Sequence, residues 1–213
     1  MAVSKARLAP AHRAPSHRDR KKRRKREKIL ANAIALFRKT GIRGTRTLRI
    51  AEASEISPAT LFNYFSTKDD LAEAWVRGEV RDRLEEVARG VGDAGLRAGL
   101  RSCCRELAVA SCSERELRIE AWRTAGRAAG ESFGPLEALE RVVGREQERG
   151  RIRADLPASA FARMLEEAVE GGLISGLAES GDPKQVAAIL RARVDLILDG
   201  ARKRNERVSA PRS

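Results

Sequence analysis

The sequence predicts an all-α protein: a small three-helix unit near the N-terminus followed by a larger helical bundle, about nine helices in all. Three observations carry this. Apolar residues make up 42% of the 213-residue chain and aromatics only 4%. Ala, Leu, Arg and Glu dominate, and all four favour helix. Charged residues reach 34%, and apolar positions recur at helical spacing in blocks separated by short Gly or Pro breaks.

Charge placement narrows the partners. The chain carries a net +13, of which residues 1–28 supply +10, with twelve Lys/Arg against Asp19 and Glu27. The other 185 residues hold only +3. A basic terminal arm attracts polyanions. Lys21, Lys22, Arg23, Arg24, Lys25 and Arg26 form an unbroken basic hexamer. Residues 1–20, with Pro10, Pro15, His12 and His17, read as a disordered arm. Three cysteines, Cys103, Cys104 and Cys112, form no disulfide framework, so a reducing cytoplasm is expected. No apolar run approaches the ~20 residues that cross a bilayer, and none follows the basic start as in a secretory signal. No membrane partner is expected.

From Glu27 the pattern turns helical. Ile29, Leu30, Ala33, Ile34 and Phe37 share a face, and Gly41 is placed to end the run in a left-handed cap. A second helix is expected over 47–54, with the Thr47 hydroxyl as its cap. Ser57-Pro58 is a strong start signal for a short third helix, about 58–64: Ser caps the exposed amides and Pro occupies the first helical position. Thr67 and Asp70 have capping-box spacing at the start of a fourth, 68–89. Further helices are expected over 95–112, 114–129, 135–149, 158–179 and 183–204, with residues 205–213 as a frayed tail.

Two short helices joined by a tight turn after a longer supporting helix form a helix-turn-helix, whose second helix enters the DNA major groove. Ala51 is small where the helices must cross, and Ile56 and Leu61 anchor the angle from inside. The bland alternative is an ordinary three-helix packing unit. The residues in order weigh against it: Leu36-Phe37, Gly41, Thr47, Ile50-Ala51, Ile56-Ser57, Thr60-Leu61-Phe62, Tyr64-Phe65 and Lys68-Asp69-Asp70-Leu71. This stretch of about 50 residues resembles the DNA-binding domain of the TetR family of bacterial regulators. Two positions depart from the family pattern. Glu55 stands where a turn glycine is usual, and Phe62 stands where a phosphate-binding Tyr is usual.

The resemblance implies a sequence-specific regulator of transcription, usually a repressor, that leaves a palindromic operator when a small effector binds. Thr47, Thr60, Tyr64 and Lys68 are then phosphate contacts, and Arg46 and Arg49 touch the backbone. Ser57, Pro58, Ala59 and Asn63 lie near bases, with the Asn63 amide the best directional reader. The domain organisation expected is a basic arm over 1–20, a helix-turn-helix domain over 21–67 and an effector-binding and dimerisation domain over 68–204. Trp75, Cys104, Leu107, Trp122 and Phe133 are candidates for an effector pocket, although core packing accounts for each of them as well. Ala168, Gly172 and Gly176 repeat every four residues, and Val186, Leu190, Val194 and Ile197 share a face of the last helix. The resemblance makes these two helices a homodimer interface; the alternative is that they close the monomer's own core.

No Gly-rich phosphate loop, metal-ligand set or catalytic constellation is present, so neither enzyme activity nor a cofactor is expected. Double-stranded DNA, a second copy of the chain and an unidentified small molecule are the expected partners. The competing class is an architectural protein that binds any duplex through its basic arm and answers to no effector.

Overall fold

Nine α-helices and no strand make up the described residues of the computed structural model, which are 16–90, 95–126 and 136–201. The helices are α1 (His17–Gly44), α2 (Thr47–Ala53), α3 (Pro58–Phe62), α4 (Lys68–Arg89), α5 (Gly95–Cys112), α6 (Arg115–Ala125), α7 (Glu137–Glu148), α8 (Ala158–Glu179) and α9 (Pro183–Gly200). Phe133, residues 1–15 of the expected arm and the expected tail over 205–213 lie outside the described residues.

α1 begins twelve residues before its apolar stripe. Ser16 and Asp19 form a capping box in which the Ser16 hydroxyl accepts from the Asp19 amide at 3.2 Å and the Asp19 carboxylate accepts from the Ser16 amide at 3.0 Å. Residues 17–20 are therefore helical rather than disordered, and the basic hexamer rides on the same helix. Lys and Arg are good helix formers, and repulsion between exposed like charges costs only about 0.2–0.5 kcal/mol per pair. The apolar stripe Ile29, Ala33 and Phe37 is buried in α1, which packs on α2, α4 and α6, and the Phe37 and Trp75 rings lie 6.4 Å apart.

The expected Thr47 cap is not made. Arg46 holds the N-cap position without a side-chain bond, and Thr47 is the first helical residue. Ser57 caps α3 as its sequence predicts, accepting from the Thr60 amide at 3.1 Å, and Thr67 and Asp70 close the capping box of α4.

α4 runs from the helix-turn-helix into the bundle and packs against α5, α6, α7 and α8. Along its contact with α8, Arg81 pairs with Glu166 at 2.6 Å, and Arg77 lies 3.5 Å from Glu170 and 3.3 Å from Glu73. All three acids are buried. Several helix ends are satisfied by other helices. The Glu85 carboxylate of α4 accepts from the Ala138 and Leu139 amides at the start of α7. Arg115 of α6 donates to the Leu177 carbonyl at 2.9 Å near the end of α8. Orphan groups at helix ends need such partners when water is excluded.

α8 and α9 form the most intimate pair, and they correct the expected dimer surface. A Cβ on Gly172 would sit 2.7 Å from Leu190 Cδ2, and one on Gly176 would sit 3.1 Å from Val186 Cγ1. Gly172, Gly176, Val186, Leu190 and Val194 are all buried within one chain. The small-residue stripe lets these two helices of the same subunit approach closely. Ala168 and Ile197 are only half-buried, and Ile174 and Leu196 are exposed on the outside of the pair at 48% and 74%.

Candidate nucleic-acid interface and its link to the bundle

The helix-turn-helix is held from behind by α1. The Asn32 amide donates to the Ala53 carbonyl at 2.9 Å and to the Ser54 hydroxyl at 3.2 Å, and Lys28 pairs with Glu55 at 2.6 Å. In the turn itself the Ile56 amide donates to the Ala51 carbonyl at 3.1 Å. Glu55 has φ 56°, the left-handed region that the missing glycine would enter freely. Ile50, Ala51, Leu61 and Phe65 are buried, and α3 packs on α2.

This leaves one outward surface. Arg46, Arg49, Ser57, Pro58, Ala59 and Asn63 are exposed, while Thr47, Thr60, Tyr64 and Lys68 are half-buried. Several are already engaged. The Thr60 and Ser57 hydroxyls lie 2.8 Å apart, and Arg49 pairs with Glu52 at 3.2 Å. The Lys68 ammonium donates to the Arg43 and Thr45 carbonyls at 3.1 and 3.2 Å, so two of its three protons serve the fold. Asn63 is the C-cap of α3 rather than part of its helical body. Leu48 and Phe62, exposed at 53% and 47%, add apolar area to this surface. Lys21, Lys22, Arg23, Arg24 and Lys25 are exposed, and Arg26 lies with its guanidinium 4.3 Å from the Phe65 ring.

The candidate effector residues that lie among the described residues, Trp75, Cys104, Leu107 and Trp122, are all buried. Trp75 lines a cleft of about 700 Å³ between α1 and α4, beside Leu30, Ile34, Gly78 and Arg118. The Arg118 guanidinium stacks 4.5 Å above the Trp75 ring and pairs with Glu79. Cys104 and Leu107 on α5 and Trp122 on α6 are core side chains. Burial pushes the Cys103 thiol up to about 12 and the Cys104 thiol up to about 11, so both stay protonated at neutral pH.

Sequence spacing missed the join between the two halves. The Glu120 carboxylate of α6 accepts from the Ile42 amide at 3.2 Å and the Arg43 amide at 3.0 Å. Glu114, the residue before α6, accepts from Arg38 at 2.5 Å, and the Arg38 guanidinium holds that carboxyl below its usual range. These partners are more than 70 residues apart in the chain, and no local periodicity pairs them.

Residues 29–75, covering α2, α3 and the flanking parts of α1 and α4, match the model for bacterial regulatory proteins of the tetR family. This segment has the pattern of a TetR-family DNA-binding domain. Its relatives are regulators of transcription. The regulator TcmR of Streptomyces glaucescens is 40% identical over 58 residues, which cover 27% of this chain and 26% of that protein. The transcriptional repressor Rv1474c of Mycobacterium tuberculosis is 26% identical over 182 residues, 84% of this chain and 94% of the repressor. Among solved structures, the TetR-family repressor FadR of Thermus thermophilus, crystallised with lauroyl-CoA, overlays 88% of this chain and all of its own at a TM-score of 0.62 and 24% identity. A TetR-family regulator from Pectobacterium atrosepticum overlays 87% of this chain and 97% of its own at a TM-score of 0.58 and 18% identity. The chain shares the all-α fold of these structures, and the matched segment holds its N-terminal helix-turn-helix. Among the described residues, no helix is long and apolar enough to cross a membrane and no group of three His, Cys, Asp or Glu is placed to hold a metal ion.

Proposed function

We propose that this TetR-family regulator represses transcription by binding a palindromic operator as a homodimer, and that a small molecule bound in its helical bundle releases it. The supporting observation is the α3 surface: Ser57, Pro58, Ala59 and Asn63 are exposed along a short helix that packs on α2, and Asn32 of α1 holds the end of α2 from behind. On this reading these four residues face bases. Arg46, Thr47, Arg49, Thr60 and Tyr64 hold phosphates, and Lys68 offers its one remaining proton to the backbone. Lys21 through Arg26 add phosphate contacts that carry no sequence information. The domain division is a helix-turn-helix unit over 21–67 and a regulatory bundle over 68–204. Dimerisation uses the outer side of the α8–α9 pair, where Ile174 and Leu196 are exposed, with Ala168 and Ile197 at its margin. The effector site lies among α4, α5 and α6, where Trp75, Cys104, Leu107 and Trp122 sit.

The deciding experiment is selection of binding duplexes from a random pool by the full chain. The regulator reading expects one inverted repeat with half-sites about one helical turn apart. Uniform recovery of all sequences would instead make the protein an architectural binder working through its basic α1 segment.

A further inference from the structure

We propose that Glu120 is a positioning residue for DNA recognition: a carboxylate of the regulatory bundle that grips the α1–α2 connection by its main chain and thereby sets the attitude of the recognition helix. The inference rests on the operator-binding reading above. At Gly41 the backbone takes φ 71° and ψ 166°, which breaks α1. The next two amides, of Ile42 and Arg43, turn to α6 and each donates to its own oxygen of the Glu120 carboxylate. Both are charge-assisted bonds, the stronger kind. A Cβ at Gly41 would lie 3.5 Å from Glu120 Oε2, an ordinary contact, so what glycine supplies here is the positive φ and not extra space.

The same short segment is held on its carbonyl side by α4, where Lys68 takes the Arg43 and Thr45 carbonyls. Thr45 closes it internally, with its hydroxyl donating to the Gly41 carbonyl at 2.7 Å. Residues 41–45 thus have little slack. They run directly into Arg46, the N-cap of α2; α2 packs on α3 and holds the turn between them through the Ile56 amide and Ala51 carbonyl. At the other end of the relay, α6 is fixed to the bundle: it packs on α4 and α8, and its Arg115 caps the end of α8. A shift of α6 against α4 therefore pulls the start of α2, because one helix holds the amides of the connection and the other holds its carbonyls.

The test uses the full chain, its selected operator duplex and a scrambled duplex of the same length at one salt concentration. Glu120→Ala should weaken operator binding about tenfold, within the usual range for coupling between sites, and leave the scrambled duplex within about twofold, because phosphate attraction does not depend on helix attitude. Amide exchange at Ile42 and Arg43 should accelerate, while amides of α8 and α9 keep their protection. Glu120→Gln keeps the shape and one acceptor oxygen, and should fall between the two proteins in both operator affinity and exchange. Operator affinity equal to wild type despite faster exchange at Ile42 and Arg43 would overturn the proposal. So would equal losses on both duplexes with lower melting temperatures in both variants, which is the signature of a merely structural contact. If no duplex is preferred in the selection step, the regulator reading itself fails there, before any variant is made.

Discussion

Glu55 stands in a turn where φ is 56°, a conformation that costs an ordinary residue about 1 kcal/mol. Its departure from the family's glycine is readable in the sequence, and so is the strain it implies. What compensates is not: Lys28 reaches it from α1 at 2.6 Å, but both side chains are largely exposed, and such pairs contribute less than about 1 kcal/mol. Glu170 is the opposite case, a charge within a long helix that nothing local marks as unusual. Burial against α4 pushes its carboxyl up to about 7 from an ordinary 4.5, and the neighbouring Glu166 adds to the rise, while Arg77 opposes both. Because the folded pKa is the higher one, the folded state favours the protonated form. Stability from this group is present below about pH 4.5 and is lost as pH rises towards 7. Glu170→Gln should therefore leave stability near pH 4.5 little changed and raise it at pH 8 by about 3 kcal/mol. Urea midpoints of the two proteins at both pH values check this, and parallel pH profiles would refute it.

Most helix boundaries are legible in the sequence, because Ser57-Pro58, Thr67 with Asp70, and Asp182-Pro183 announce themselves through capping chemistry. The start of α1 is less so, because the density of positive charge outweighs a Ser16–Asp19 box whose two members sit in plain view. The difference matters for binding. A helix rises 1.5 Å per residue, so His17 to Arg26 forms a rod about 14 Å long rather than a loose tail. Replacing Lys21, Lys22, Arg24 and Lys25 together with Gln preserves helix propensity and removes four charges. Affinity should fall for every duplex alike, and the slope of log affinity against log salt should flatten by about 0.9 for each phosphate that is no longer neutralised. Titrations at several salt concentrations measure this; an unchanged slope would remove the segment from the interface. The helix ends that escape a sequence reading are those capped from a distance, by Glu85 at α7, Arg115 at α8 and Lys68 at α1. Their partners are set by packing, which a single helix's periodicity does not encode.

On the scale of the molecule, the small-residue stripe Gly172, Gly176 with Val186 and Leu190 signals correctly that two helices meet closely, but not which two. In the structure they belong to the same subunit. Two classes of substitution should separate accordingly. Gly172→Leu forces a side chain into Leu190 and should cost about 1–3 kcal/mol or more of fold stability. Ile174→Arg with Leu196→Arg alters only exposed positions and should yield folded monomers with an unchanged melting profile and about half the sedimenting mass. A double variant that sediments as a dimer would move the interface elsewhere. The candidate recognition surface is legible because its residues are local, lying within about twenty positions. The cleft beside Trp75 and the Glu120 contact are not, because each is assembled from helices distant in the chain.

The Glu120 contact also bears on how this junction tolerates change. It addresses two main-chain amides and no side chain. The exposed Arg43 can be exchanged for almost any residue without loss of the grip, since every amino acid but one supplies the same N–H. Proline alone withdraws it. The junction is thus indifferent to most substitutions at its exposed position and absolute about one, a pattern of constraint that side-chain contacts do not produce.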